Sequence, residues 1–534
     1  MTHRVCSRQW SVRWLCAVAL ISAGCAGDTA PSAQPSATPA GSTSAPAAAG
    51  ATLLNTIVGR PTATSIAVSV LCPVATEVYV EYGTASGRYT ANTPTATALT
   101  ADPVVLTLTG LTADTRYFYR VRTRGAADAS FRADTEHQLQ TQRGTGRTFS
   151  FGVQGDSHPE RAGQMFNAAL YTRNMQNVAA AQHDFYIALG DDFSVEPLLD
   201  RNALSQSAVD ALYLNQRTYF GIPGVSTPVF LVNGNHEQAA AYLVNGRFPT
   251  PWADAPVFQG LARLRHFALP APDGFYAGDA EPQPGVGLLR DYYAWEWGDA
   301  LFVTIDPYWH SPVPVDNGVP GVDKTKDTWQ STIGDAQYAW LTQVLQTSRA
   351  PYKFIFQHHV LGTFRGAAAI VHQFEWGGYN KAGTAWEFSA QRPGWAKPLH
   401  QLFRDTGVTV VFSAHDHVYA REQVDGIVYQ SVPNPADDTY TAFNADAYLP
   451  VAVSLPGARY DPKAGTVQPN AGHLSVTVSP QQATVRYVRA VQPGDDAKAG
   501  ASNGSVSATY TVTPARVASP VTTLHTTVVT GAVQ

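Results

Sequence analysis

Five short polar clusters punctuate the middle of the chain: Gly155-Asp-Ser-His158, Gly190-Asp-Asp192, Gly234-Asn-His-Glu237, Gln357-His-His359 and Ala414-His-Asp-His417. Their side chains offer carboxylate, imidazole and amide oxygen, the hard and borderline donors that divalent and trivalent cations take where no thiolate is present. One Asp-x-His or His-x-His is weak evidence, because such pairs arise often by chance. Five in order, each directly after an apolar run, are far harder to obtain that way. Together they supply enough donors for two adjacent cations. The glycines contribute too, since they let the chain turn sharply and aim the next side chain into a cleft.

The elements that must position these clusters are legible from periodicity. Apolar runs at 149–154, 185–189, 228–232, 292–297, 301–305, 352–356 and 408–412 read as strands. Stretches of helix formers near 160–181, 204–219, 335–348 and 397–406 separate several of them. Strand alternating with helix is the α/β signature, and open α/β sheets place ligands beyond the carboxyl ends of their strands. Before this region, about 53 to 142, short alternating strands at 65–70, 77–82, 104–108 and 116–122 predict a β-sandwich. After about 456, runs at 473–478 and 483–488 flank Gln481-Gln482 and predict a hairpin.

The order of the clusters resembles the metallophosphoesterase, calcineurin-like superfamily: GDxH, GD, GNH(D/E), a lone H, then GHxH. The phrase Ala414-His-Asp-His-Val-Tyr-Ala-Arg421 looks most like purple acid phosphatase relatives. The segment Leu108-Thr-Gly-Leu-Thr-Ala-Asp-Thr-Arg-Tyr117 is similar to the fibronectin type III corner, with Tyr117 as the tyrosine that closes it. The resemblance implies a four-layer αββα sandwich over 148–455, preceded by a fibronectin III-like sandwich at 53–142 and completed by C-terminal strands and a tail at 456–534. It implies that Asp156, His158 and His417 hold one metal ion, that Asn235, His358 and His415 hold the second, and that Asp191 bridges them. His236 corresponds to the family's catalytic histidine. His358 is preferred over His359 by register. The cofactor implied is two divalent or trivalent ions, Fe, Zn or Mn, and the reaction is hydrolysis of a phosphate ester by a hydroxide held between them. The substrate class is a phosphorylated small molecule or nucleotide.

The sequence departs from the purple enzymes in a telling way. They carry glycine where His158 stands and a tyrosine three residues beyond the bridging aspartate, where this chain has Ser194. One ligand is lost and another gained, so the coordination count is kept. Without the phenolate, no ferric–tyrosinate colour is expected. Ala414 and Val360 replace a usual glycine and a common proline. Among residues of the long inserted loops, Trp309, His310, Arg365, Trp376 and Tyr379 are candidates for the substrate rim.

Composition bounds the rest. With 534 residues, 14% charged residues and 11% aromatics, the chain is multidomain and loop-rich. A formal net charge of −5 gives no basic excess, so no nucleic-acid backbone partner is expected. Arg4, Arg8 and Arg13 precede an apolar run that ends in Ser22-Ala-Gly-Cys25. This is the layout of a signal peptide over 1–24, with Cys25 as a lipid-bearing first residue resembling a bacterial lipobox. Residues 25–52, rich in Ala, Ser and Pro, read as a tether. The expected location is the bacterial cell envelope, with a released, secreted protein as the alternative. Cys72 is the one cysteine beyond position 25 and reads as buried and apolar. Two rivals accompany the phosphatase reading: a phosphodiesterase or nucleotidase, and a non-catalytic surface binding lipoprotein.

Overall fold

The computed structural model describes residues 54–515, apart from 247, 249, 317, 361–364 and 449–464. The expectations for the signal, the lipid-bearing Cys25 and the tether therefore lie outside the described residues. Among those described, no helix is long and apolar enough to cross a membrane.

Two large sheets face each other. In the first, strands Val229–Leu231, Phe185–Ala188 and Phe149–Gln154 run parallel, and Gly472–Val478, Ala483–Arg489 and Val506–Val512 extend it antiparallel. The second is eight-stranded and centres on Ala300–Thr304, Tyr352–Phe356 and Val410–Ser413, also parallel. Their facing sides meet in an aromatic core that includes Phe151, Phe185, Phe302, Phe354, Phe356 and Phe412. Phe151 alone has four phenylalanine rings of the opposite sheet within 6.2 Å, mostly edge-on, the arrangement aromatic quadrupoles favour.

The outer face of the first sheet is covered by helices Ala168–Ala181, Gln206–Gly224 and Ala255–His266. That of the second is covered by Asp335–Thr347, Phe374–Gly377 and Leu399–Thr406. The result is the four-layer αββα sandwich. Strands buried on both faces read as continuous apolar runs, which is why they were visible in the sequence.

Some boundaries differ from the periodicity. The first helix begins at Ala168, not near 160, because the Asn167 side chain accepts from the Ala169 and Leu170 amides and caps it there. Residues 160–167 instead form a short 3-10 turn and a loop beside the site. The hairpin Tyr419–Val424 with Ile427–Ser431 was not foreseen. Its Asp425-Gly426 turn has φ of 50° and 86°, the two left-handed residues of a tight hairpin turn.

Residues 55–140 form an antiparallel β-sandwich with its own core. Tyr117 accepts a hydrogen bond from the Thr112 amide, closing the predicted corner. The sandwich is fastened to the helical layer rather than hung from it. Buried Arg217, on the Gln206–Gly224 helix, donates to Asn55 Oδ1 (2.9 Å) and Ser69 Oγ (3.1 Å) and to the carbonyls of Asn55, Ser69 and His266.

Candidate metal centre

The five clusters converge at the carboxyl ends of the strands. Asp156 follows Phe149–Gln154, Asp191 follows Phe185–Ala188, Asn235 follows Val229–Leu231, His358 follows Tyr352–Phe356, and His415 follows Val410–Ser413. Reaching inward costs backbone strain. Asp156, His158, Asp191, His415 and His417 all have φ between 47° and 72°, a left-handed region that residues with a Cβ seldom occupy and that clusters at functional sites. Gly190 (φ 95°) lies so close to the Gly234 backbone that a Cβ on either would collide with the other turn. Two adjacent ligand loops are packed glycine against glycine.

The ligand atoms fall into two groups. In one, His158 Nε2 lies 3.2 Å from His417 Nε2 and 3.5 Å from Asp191 Oδ2, while His417 Nε2 is 3.6 Å from Asp156 Oδ1. In the other, Asn235 Oδ1 is 2.9 Å from His358 Nε2 and 3.0 Å from His415 Nδ1, and His358 Nε2 is 3.1 Å from Asp191 Oδ2. Asp191 faces both groups. All seven side chains are buried. His359 Nδ1 pairs with Tyr308 Oη at 2.7 Å while its ring stacks on His415, and a ligand atom of His359 lies within 4.8 Å of ligand atoms of His358 and His415.

Several donors are aimed by a neighbour on the far side, whereas among the described residues His417 Nδ1 has no hydrogen-bond partner. Glu160 Oε1 takes His158 Nδ1 (2.8 Å), and the Leu189 carbonyl takes His358 Nδ1 (2.8 Å), leaving both Nε2 atoms inward. Asp316 Oδ2 lies 3.0 Å from His415 Nε2, and its carbonyl accepts Asn235 Nδ2 (2.7 Å), so His415 Nδ1 and Asn235 Oδ1 are presented together. Carboxylate and carbonyl anchors of this kind fix ring tautomer and direction behind metal-binding imidazoles. Glu237 works on the loops: its carboxylate accepts the amides of Asp192, Phe193 and Gly234. Asp192 accepts from Ser157 Oγ and points away from the cluster.

His236 stands at the edge. Its amide donates to Asp191 Oδ1 (2.9 Å), its Nδ1 pairs with Glu196, and its Nε2 lies 3.9 Å from Asp191 Oδ2 and 3.1 Å from Arg161 Nη2. Burial alone would lower its pKa, but Asp191 and Glu196 outweigh burial and push it up to about 9. His417 is driven the other way, well below its ordinary value, by burial and by the neighbouring His158. Two imidazole nitrogens 3.2 Å apart cannot both carry a proton, whereas a cation between them satisfies both. The donor set fits a pair of metal ions.

Glu160, Arg161, Glu196 and Asp316 were not singled out in the sequence. The first three lie within five residues of a cluster and carried a proximity signal. Asp316 arrives from a loop about 80 residues beyond Asn235, and no spacing announced it.

The rim expectations fare unevenly. Arg365 is at the cluster, donating to the His415 carbonyl (2.9 Å) and Asp416 Oδ1 (3.0 Å). Trp376 is not at a rim: it is buried in the core behind the second sheet, its indole bonded to Tyr429 Oη. Trp309 is likewise buried, packed on Ala239 and Leu289. Both are large apolar surfaces that the loops turn inward rather than offer to solvent. Tyr379 packs edge-on against Trp386, and His310 pairs with Asp291, so neither contacts a cluster residue.

Two facing sheets with a His/Asp/Asn cluster at their strand tips define a metal-dependent phosphoesterase architecture. The calcineurin-like phosphoesterase family model matches residues 149–419, and the chain belongs to that family. Among solved structures it is similar to a purple acid phosphatase from yellow lupin (Lupinus luteus) seeds, at 15% identity, TM-score 0.55, covering 86% of this chain and 74% of that one. It is also similar to PhoD, at 15% identity, TM-score 0.58, covering 88% and 92%. No curated protein sequence matches the chain.

Proposed function

We propose that the chain is a dinuclear-metal phosphatase of the bacterial cell envelope that hydrolyses phosphate monoesters. Asp156, His158 and His417 would hold one ion, Asn235, His358 and His415 the other, and Asp191 both. The observation that carries this reading is the division of donors into two groups that share Asp191. Fe, Zn and Mn all suit this donor set. When bound, such a pair supplies an acidified water and neutralises phosphoryl charge.

The chain's own residues do the rest. Glu196 anchors His236 at Nδ1 and leaves Nε2 as an acceptor from Arg161. With Arg161 turned to the phosphoryl oxygens, a protonated Nε2 would pass its proton to the departing alcohol, a role typically contributing about 10²- to 10⁴-fold. Arg161 lies beside that nitrogen, with Met165 Sδ (3.3 Å) and the edge of Glu160 (3.4 Å) as its other side-chain partners among the described residues, and has donors to spare for phosphoryl oxygens. An extra guanidinium at the phosphoryl group favours a dianionic monoester over a diester. The nucleotidase reading draws on one contact: Phe443, 45% exposed, has its ring 5.7 Å from that of His417 and offers a stacking face for a base.

The test is elemental analysis joined to phosphate release from mono-aryl phosphate, bis-aryl phosphate and nucleotides. Asp191→Asn or His415→Ala should abolish metal loading and turnover, whereas His236→Ala should keep metal and lose rate. Full activity in Asp191→Asn would overturn the reading. So would fewer than one ion per chain in the reconstituted wild type, which would leave a binding protein. Envelope anchoring through Cys25 is tested separately, by labelling with a radioactive fatty acid in the wild type and in Cys25→Ala.

A further inference from the structure

We propose that Asp279, Asp291 and His310 form a site for one more divalent cation, zinc or manganese, outside the dinuclear cluster. The three come from neighbouring strands at the edge of the second sheet. Asp279 follows Ala277–Gly278, Asp291 lies two residues before Tyr293–Trp297, and His310 lies on the loop after Ala300–Thr304. One ligand atom of each lies within 4.8 Å of the other two. The donors are two carboxylates and an imidazole, a set that suits zinc or manganese with water in the remaining positions.

A cluster of acids alone would not carry this. The second observation is the state of Asp291, which is fully buried. Its Oδ2 pairs with His310 Nε2 at 3.0 Å, but its Oδ1 is sealed from solvent with no hydrogen-bond partner. A buried carboxylate oxygen without a donor is costly, on the order of 1–3 kcal/mol or more. The surroundings deepen the deficit. A third buried acid, Asp306, adds its charge nearby, and among the described residues no lysine or arginine pairs with Asp279, Asp291 or Asp306. Three acids with one imidazole between them are short of positive charge, and a divalent ion supplies it. His310, one-fifth exposed, gives the ion a way in.

The site is tied to the dinuclear cluster through Asp306, whose carboxylate accepts Asn233 Nδ2 (2.5 Å), two residues before Asn235. Its occupancy can nevertheless be read independently of turnover. Metal-free full-length protein is loaded with zinc, freed of excess, and its metal counted. The wild type should carry one ion more than the near-isosteric Asp279→Asn and than His310→Gln. Zinc-loaded crystals should show an anomalous peak among the three side chains that is missing in Asp279→Asn. Equal counts in wild type and folded variants, or no anomalous peak there in the wild type, would overturn the proposal and leave a proton-sharing ion pair. Should the variants fail to fold, the wild-type anomalous map decides alone. A protein that releases no phosphate from any ester would overturn the proposed function and leave this site untouched.

Discussion

Asp316 gives the sharpest test of how the second ion is held. It makes two contacts of different kinds: its carboxylate lies 3.0 Å from His415 Nε2, and its carbonyl accepts the Asn235 amide. A side-chain substitution removes only the first. Burial works against its charge, yet His415, His359 and Lys324 hold it well below the usual carboxylate range, so it is ionised throughout any practical assay. Losing an anchor behind a metal-binding imidazole costs about 10- to 100-fold in metal affinity, equivalent to about 1.4–2.7 kcal/mol. The exposed Lys324 pair adds little to this. Asp316→Asn keeps an acceptor and loses the charge, so its loss should fall near the lower figure. Asp316→Ala loses both and should fall near the upper. Chelator competition against metal-loaded protein reads the affinity ion by ion. The ion held by Asp156, His158 and His417 should be released as in the wild type, and saturating metal should restore kcat. Unchanged affinity in Asp316→Ala would refute the reasoning. So would a kcat that stays low at saturating metal, because Asp316 would then act on substrate.

Three further outcomes follow from the packing and the rim. Arg217→Ala leaves five acceptors without their donor at the junction of sandwich and helices, and should cost on the order of 3 kcal/mol or more in chemical denaturation; a loss under about 1 kcal/mol would mean that the junction relaxes freely. His183 and His473 are buried neutral, pulled down to about 4 by burial and to about 3 by burial with the nearby His183. The unfolded chain therefore binds more protons below pH ~6.5. Their stability contribution is complete above that pH and falls by about 1.4 kcal/mol per unit for each ring as pH drops toward the folded values. His183→Asn should flatten the acid limb of a denaturation-versus-pH series, and an unchanged slope would speak against this. Arg161→Ala should lower kcat/KM for a mono-aryl phosphate by about 10-fold or more and spare the bis-aryl substrate; equal losses on both would assign Arg161 to holding His236 instead.

The local chemistry was written in the chain. Apolar runs buried on both faces, each ended by a polar cluster, marked the strands, their order along the chain and the residues at their tips, because an unbroken apolar run and a sharp turn are properties of adjacent residues. Tyr117 closed its corner for the same local reason. What spacing does not encode was decided by the tertiary structure. Asp316 comes to His415 and Asn235 from a loop that no helical or strand period predicts, and its carbonyl accepts the Asn235 Nδ2, so that Oδ1 faces inward. Trp309 and Trp376 read as rim residues because long loops usually lie outside, yet burying a large ring is worth several times what exposing it offers, and both turned into the core. His310 found Asp279 and Asp291 only because three strands at one sheet edge are neighbours in space. Sequence sets which side chains each strand carries to its tip; only packing decides which tips meet, since that is settled by burial summed over the whole molecule.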